Sequence, residues 1–294
     1  MSGAKEGADM YRVWKAIFWL FLCVCHRMGF KAGRESGPIF IVGLPRSGSS
    51  WVGGCLGISS SALYYREPCT RAYSAANEGR VVFEVTPDNV PDAYLLSSQK
   101  LCRHSPHIRP SVVAYPHQWP PFSRNVRVPV VKEVNPLACS WFIDRFNPRM
   151  MVVLVRHPAG IASSMRTLGW VLGEESTLDD WRRFGARVAR EWQQMLAQIA
   201  DCDQVKIVRY EDICQAPLET FQGLYRELGL EWSAMSEQWV RGSSNAKLQS
   251  KDHFSIRRDS AKNAYRWRES ITQDQLQALM EGYAEYELPD WYQA

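Results

Sequence analysis

The sequence has little that could enter a bilayer. Its best apolar stretch, Ala16–Cys25, is held between Lys15 and His26-Arg27 and falls well short of the roughly 20 residues a spanning helix needs. No small-residue cleavage site follows before Lys31, so a signal peptide is poorly matched too. Residues 1–36 are therefore expected to form an N-terminal helical segment, packed on the rest or lying at an interface, with 37–294 as one domain. Asn-x-Ser/Thr sequons are missing. The eight cysteines (Cys23, Cys25, Cys55, Cys69, Cys102, Cys139, Cys202 and Cys214) lack any metal-ligand spacing, and Cys23-x-Cys25 is too tight for a zinc knuckle. They read as reduced, half-buried apolar side chains, with no metal and no disulfide framework. These absences favour a cytoplasmic placement, the alternative being membrane association through the N-terminal apolar segment. A strong charge of one sign is also lacking. A net charge of +4 is too small for a nucleic-acid coat. No nucleic-acid partner and no firm membrane partner are expected, and nothing in the sequence sets an oligomeric state.

What is present is an ordinary globular composition, 46% hydrophobic and 22% charged over 294 residues, without internal repeats or linkers. Short β-branched or apolar runs at Ile39–Val42, Val81–Val85, Val128–Lys132, Met150–Val155 and Val205–Tyr210 have the character of buried parallel strands. Helical periodicity falls between and after them, in Ala186–Ala200 and Leu218–Leu228, and Thr272-x-x-Gln275 reads as a capping box before a last helix. This alternation predicts an α/β fold, a P-loop-like three-layer domain with a central, mainly parallel sheet flanked by helices. Ligands then belong at the carboxyl ends of the strands. The Pro-rich stretch His104–Pro121 is expected to be a long binding loop.

The first strand breaks into Gly43-Leu44-Pro45-Arg46-Ser47-Gly48-Ser49-Ser50-Trp51. A strand that runs through such a turn into a helix aims backbone N–H groups and the positive helix end at one point, which suits a phosphate. Gly43 and Gly48 have Walker spacing, but Ser49 stands where a nucleoside-triphosphate site needs lysine. The cation comes earlier, at Arg46. Pro45 to Trp51 resembles the loop of the PAPS-dependent sulfotransferases. That resemblance implies that Arg46, Ser47, Gly48, Ser49 and Ser50 grip the 5′-phosphosulfate of 3′-phosphoadenosine 5′-phosphosulfate (PAPS), and that Trp51 lies against adenine.

Two further segments follow in the family's order. Arg156-x-Pro158 with Ser164 is similar to the R-x-P-x-x-x-x-x-S signature, which implies that Arg156 and Ser164 clamp the 3′-phosphate. Tyr210-Glu211-Asp212 resembles a Y-E-D segment whose tyrosine borders adenine. Arg257 and Arg258, followed by Trp267, resemble the late basic loop over the 3′-phosphate, with looser spacing than in cytosolic members. The resemblance runs from Ile39 to about Trp267.

For catalysis, the cytosolic branch uses His in a K-x-H segment, but the comparable place reads Lys132-Glu133-Val134. Golgi carbohydrate and many bacterial members instead place Glu before Pro downstream of the loop, as in Glu67-Pro68. The resemblance thus implies Glu67 as general base, Arg46 at the departing phosphate and Lys132 as second cation at the sulfonate, with His117 and His104 as substitutes for the base. The expected reaction moves a sulfuryl group from PAPS to a hydroxyl or amine, releasing adenosine 3′,5′-bisphosphate. Carbohydrate or small-molecule acceptors rank first by that analogy. A P-loop kinase or NTPase, and a non-catalytic nucleotide-binding protein, are the rival readings. Trp119, Trp141, Trp170 and Trp181 are candidates for stacking on an acceptor, although most tryptophans belong in the core.

Overall fold

The structure, a computed structural model, describes residues 37–103, 112–120, 126–244 and 264–292, with Ile17, Leu20, Phe21, Cys23 and Val24 besides. Strand β1 (Ile39–Gly43) is apolar throughout because both its faces are covered. Phe40 and Val42 enter one core, whereas Ile39 and Ile41 enter a second core across the sheet. β1 runs into α1 (Ser49–Gly57), then β2 (Ala62–Arg66), α2 (Pro68–Ser74) and α3 (Asp92–Cys102). After these come β3 (Val128–Glu133), α4 (Cys139–Phe146), β4 (Met150–Val155), α5 (Pro158–Thr167) and the long α6 (Leu178–Ile199). The chain closes with β5 (Val205–Arg209), α7 (Tyr210–Gln215), α8 (Pro217–Glu227), α9 (Ala234–Ser244) and α10 (Gln273–Tyr283).

All strand pairs are parallel, in the order β2-β3-β1-β4-β5. The switch point lies at β1, whose carboxyl end carries the Gly-rich loop. Helices α1, α7, α8 and α9 cover one face through Val52, Ile213, Phe221 and Val240. Helices α3 to α6 and α10 cover the other through Tyr94, Phe142, Ile161, Trp192 and Leu279. Where α6 crosses α10, a Cβ on Gly185 would stand 1.9 Å from the Leu279 carbonyl oxygen, and one on Gly282 would stand 1.9 Å from that of Arg182. The two backbones touch only because both positions lack side chains.

The expected α/β fold is present, with two corrections to the strands. Val81–Val85 is not in the sheet. Its apolar side chains pack inward, but its backbone is held by Asn135, whose amide accepts from Phe83 N–H (3.2 Å) and donates to Phe83 O (2.9 Å). The missing edge strand is β2, whose Tyr64-Tyr65 pair gave no clear alternation. The capping box at Thr272 and Gln275 forms as read. In the N-terminal segment, the five described positions are helical; Cys23 packs against the core, while Ile17, Leu20, Phe21 and Val24 are exposed. Half of the long loop, residues 104–111 and 121 with His104 among them, lies outside the described residues, as do Arg257 and Arg258. Among the described residues, no helix is long and apolar enough to cross a membrane, and Cys55, Cys69, Cys102, Cys139, Cys202 and Cys214 are free thiols.

Candidate functional site

The loop after β1 is tightly held from behind. A Cβ on Gly43 would stand 2.5 Å from Ser47 Oγ and 2.8 Å from the Leu154 carbonyl oxygen, and Gly48 has φ 96° with Tyr210 where its Cβ would go (2.3 Å). Arg46 also adopts positive φ, 71°. For a side chain larger than glycine this is a strained conformation, typical of binding loops. α1 has no side-chain cap and opens at the loop, where the helix dipole favours an anion. Ser47 is fully buried and its hydroxyl has no hydrogen-bond partner among the described residues.

Three separate sequence segments meet on this loop. Arg46 Nε donates to Ser164 Oγ (2.9 Å) on α5, and Arg156 Nη1, at the end of β4, donates to the Arg46 carbonyl oxygen (2.8 Å). The Arg156 guanidinium lies over the Tyr210 ring, 4.6 Å from its centroid, and Gly160 leaves room for Arg156 Nε. Tyr210 is thus a floor beneath both the loop and Arg156. Trp51 turns from the loop into the second core, edge-on to Tyr210 and Phe221 at 5.9 and 5.4 Å, and its Nε1–H donates to Ser243 Oγ (3.0 Å). Ser49 is buried, whereas Ser50 is exposed.

Beside Arg156, His157 caps α5 by accepting from Ala159 N–H at Nδ1 (3.1 Å). Its ring stacks on Trp267, with centroids 4.5 Å apart. Burial, and then the charges of Arg268, Arg156 and Arg209, push its pKa down to about 4. It is a neutral spacer. Glu211 accepts from the His157 backbone N–H (3.0 Å) and from Tyr292 Oη (2.5 Å), closing this side. Trp267 was legible as a late family residue; its stack on His157 was not.

The proposed catalytic groups gather where β2 and β3 end. Glu67 stands just before α2 in left-handed conformation, φ 55°. Its N–H bonds the Lys132 carbonyl oxygen (2.6 Å). Lys132 Nζ donates to Glu67 Oε1, and Arg71 Nε donates to Oε2 (3.0 Å). Burial alone would raise the Glu67 pKa, but Lys132 and Arg71 outweigh it and the net shift is downward. The Lys132 pKa is also lowered, because burial outweighs its attraction to Glu67. The pair can hold a carboxylate against two cations, one of them almost fully buried.

Glu133, beside Lys132 in the strand, escaped the sequence reading. Its side chain crosses to α2 and accepts from Cys69 N–H (2.7 Å), Thr70 N–H (3.1 Å) and Thr70 Oγ1 (2.5 Å). Burial raises its pKa to about 7, although these three donors work against the rise. It pins the helix whose start carries Glu67. The signal for it was an acid closing an otherwise apolar strand. Arg71 is a partner of Glu67 that the sequence itself offers, since i, i+4 spacing connects them. His117 sits beside Tyr115, with centroids 5.9 Å apart, and none of its described contacts reaches Arg46, Lys132 or Glu67. Among the described residues, no group of His, Cys, Asp and Glu could hold a metal ion.

Comparison with known proteins follows the same residues. The sequence model of the Sulfotransferase family matches residues 38–234. Carbohydrate sulfotransferase 1 of Danio rerio is 28% identical over 172 residues, which are 51% of this chain and 39% of that protein. Carbohydrate sulfotransferase 3 of Rattus norvegicus is 32% identical over 65 residues, 22% of this chain and 14% of that protein. The chain therefore spans well under half the length of these curated relatives. Among solved structures, a sulfotransferase domain from the curacin biosynthetic pathway shares the fold, with TM-score 0.50 and 20% identity over 87% of this chain and 100% of that one. The cytoplasmic placement expected from the sequence is corrected by these matches. The curated relatives are carbohydrate sulfotransferases, the Golgi members whose Glu-Pro pattern the chain resembles. Missing sequons and unpaired thiols were too weak a signal to fix a compartment.

Proposed function

The chain belongs to the sulfotransferase family, and from that premise we propose that it transfers a sulfuryl group from PAPS to a hydroxyl of a carbohydrate or small-molecule acceptor. The donor supplies the activated S–O bond. The described residues fit it. The loop offers its helix start, a buried Ser47 hydroxyl and the Arg46 guanidinium to the 5′-phosphate end, while Arg156, which braces that loop, and the Trp267–His157 stack beside it are assigned to the 3′-phosphate. Arg257 and Arg258 remain assigned to that end by resemblance.

In the proposed mechanism, Glu67 takes the proton from the acceptor hydroxyl as the acceptor oxygen bonds to sulfur. The bond from sulfur to the bridging phosphate oxygen breaks, and the electron pair leaves on adenosine 3′,5′-bisphosphate. Arg46 stabilises the charge that grows on the departing phosphate, and Lys132 stabilises the sulfonate oxygens. Because Lys132 also bonds Glu67, its move toward the sulfonate would release the carboxylate as a base at the moment it is needed. The observation that carries this reading is the Lys132–Glu67 pair, set at the strand ends next to a loop braced by Arg156 and Ser164.

The test is calorimetric titration with adenosine 3′,5′-bisphosphate, 5′-AMP and Mg-ATP, followed by detection of sulfated product from PAPS. The bisphosphate should bind tightest. Tighter Mg-ATP binding would overturn the reading in favour of a nucleoside-triphosphate enzyme, and bisphosphate binding without product from any acceptor would leave a nucleotide-binding protein.

A further inference from the structure

The four tryptophans singled out in the sequence divide sharply in the structure. Trp119, Trp141 and Trp181 are core residues, exposed by 2% or less, whereas Trp170 is 53% exposed. Trp170 lines a cavity of about 270 Å³ that begins at Leu44 and Pro45, directly before Arg46. Its position is fixed by the end of α5. Gly169, at φ 66°, donates its N–H to the Arg166 carbonyl oxygen (2.9 Å), and Trp170 N–H bonds that of Met165 (3.1 Å). These two bonds make a Schellman cap, which holds the residue after the glycine against the last turn. A ring of this size at the rim of a cavity presents a broad apolar face on which a ligand can stack.

A second cavity, about 460 Å³, continues from the first and shares Val171 and Arg187 with it. Together they form a cleft that starts at the loop and runs outward along α6. Its charged lining is balanced: Arg80, Arg183 and Arg187 face Glu175, Asp180 and Glu191. Such a lining offers many donors and acceptors but no net field to attract a polyanion.

Resting on the sulfuryl-transfer reading above, we infer that the two joined cavities are the acceptor cleft, that their occupant is an uncharged oligosaccharide, and that Trp170 is the platform for the sugar at the Leu44-Pro45 end. Sugars present a C–H face that suits an indole and a rim of hydroxyls that suits guanidinium and carboxylate groups. A cleft with two chambers suits several linked sugars better than one small alcohol, since ligand pockets of roughly 300–1,000 Å³ take a ligand of that bulk whole. The sugar on Trp170 lies beside Leu44-Pro45 and so next to Arg46, and the chain continues past Arg187 toward Arg183. α5 thereby carries Ser164 of the cofactor site and, at its end, the acceptor platform.

The experiment uses the full chain saturated with adenosine 3′,5′-bisphosphate and ligand-observed NMR titrations. The probes are N-acetylglucosamine, chitotetraose, lacto-N-neotetraose and a heparin tetrasaccharide. At least one neutral tetrasaccharide should bind about tenfold or more tightly than the monosaccharide. Trp170→Ala should remove most of that gain with bisphosphate affinity unchanged, Trp170→Phe should restore part of it, and Arg183→Ala should weaken the tetrasaccharide but not the monosaccharide. Equal binding of mono- and tetrasaccharides, an unaffected Trp170→Ala, or tighter binding of the heparin fragment would each overturn the assignment. Failure of the bisphosphate to bind, with Trp170-dependent tetrasaccharide binding retained, would sink the sulfuryl-transfer reading and leave the cleft standing. Sulfation of a simple alcohol with no oligosaccharide binding would do the reverse.

Discussion

Arg46 and Ser164, 118 positions apart in sequence, are joined by a hydrogen bond of 2.9 Å from the guanidinium Nε to the hydroxyl. One residue belongs to the loop assigned to the 5′ end of the nucleotide, the other to the segment assigned to its 3′ end. Arg156 closes the same connection from the other side through the Arg46 carbonyl oxygen. The two halves of the site are therefore one structure, and a change in either is felt in both.

If Arg46 makes the proposed charge-assisted contact to the 5′-phosphate, Arg46→Ala should weaken adenosine 3′,5′-bisphosphate binding by about 1.5–3 kcal/mol. Isothermal titration on the folded variant checks this. Unchanged affinity would take the loop out of the nucleotide site.

Two duties are proposed for Arg156, and they are separable. If it holds the 3′-phosphate, Arg156→Ala erases most of the preference for the bisphosphate over 5′-AMP. If it serves only to brace the Arg46 carbonyl, both nucleotides lose affinity equally. The ratio of the two dissociation constants decides between these outcomes, and we expect the ratio to collapse.

Glu67→Gln should lower turnover about 10²–10⁴-fold, the usual size of a general-base contribution, while bisphosphate affinity persists. Because Lys132 and Arg71 hold the Glu67 pKa down despite burial, the base stays ionised through neutral pH and the acid limb of the rate profile lies below the ordinary carboxylate range. The linked stability is present above the unfolded-state pKa and is lost as pH falls through the folded value. An acid limb near neutrality, or turnover that survives Glu67→Gln and vanishes with His117→Ala, would reassign the base.

Glu133 has the opposite sign. Its pKa is raised to about 7, so its contribution to stability is fully present below the unfolded pKa near 4.5 and is lost as pH rises through about 7. Glu133→Gln cannot accept from all three α2 donors and should cost about 1–3 kcal/mol for the unsatisfied group. The variant's melting temperature should fall less steeply than the native protein's between pH 4.5 and 7. Parallel melting curves would mean that Glu133 does not titrate in this range.

The loop and the helix after it were legible because a phosphate site built from backbone needs glycine at fixed places, and Gly43 and Gly48 occupy them. Arg156 and Tyr210 were legible through the resemblance to the family's segments, each standing where a strand of the sheet ends. Glu133 was not, since a buried acid at a strand end reads as polar termination until the helix it pins is in view. The segment Val81–Val85 misled because β-branched composition reports burial rather than pairing, and Asn135 supplies from a side chain the hydrogen bonds a neighbouring strand would have given. Trp170 could not be told from Trp119, Trp141 and Trp181 by spacing. Only the turn at Gly169 sets it outside the core.

The strand order has a consequence for how the chain is made. β1 lies at the centre of the sheet, yet its two neighbours are β3 and β4, which lie far along the sequence. As synthesis proceeds from the N-terminus, Ile39–Gly43 leaves the ribosome with no partner on either edge and stays so until Val128–Glu133 has followed it. Throughout that interval an apolar segment with bare N–H and C=O groups waits in solution, and long-range parallel pairing is slow once it becomes possible. The loop after β1, to which the nucleotide is assigned above, is thus synthesised well before the strands that flank it and takes shape only with them. Yield of active protein should respond to growth temperature and chaperone supply more than to any change within the finished site.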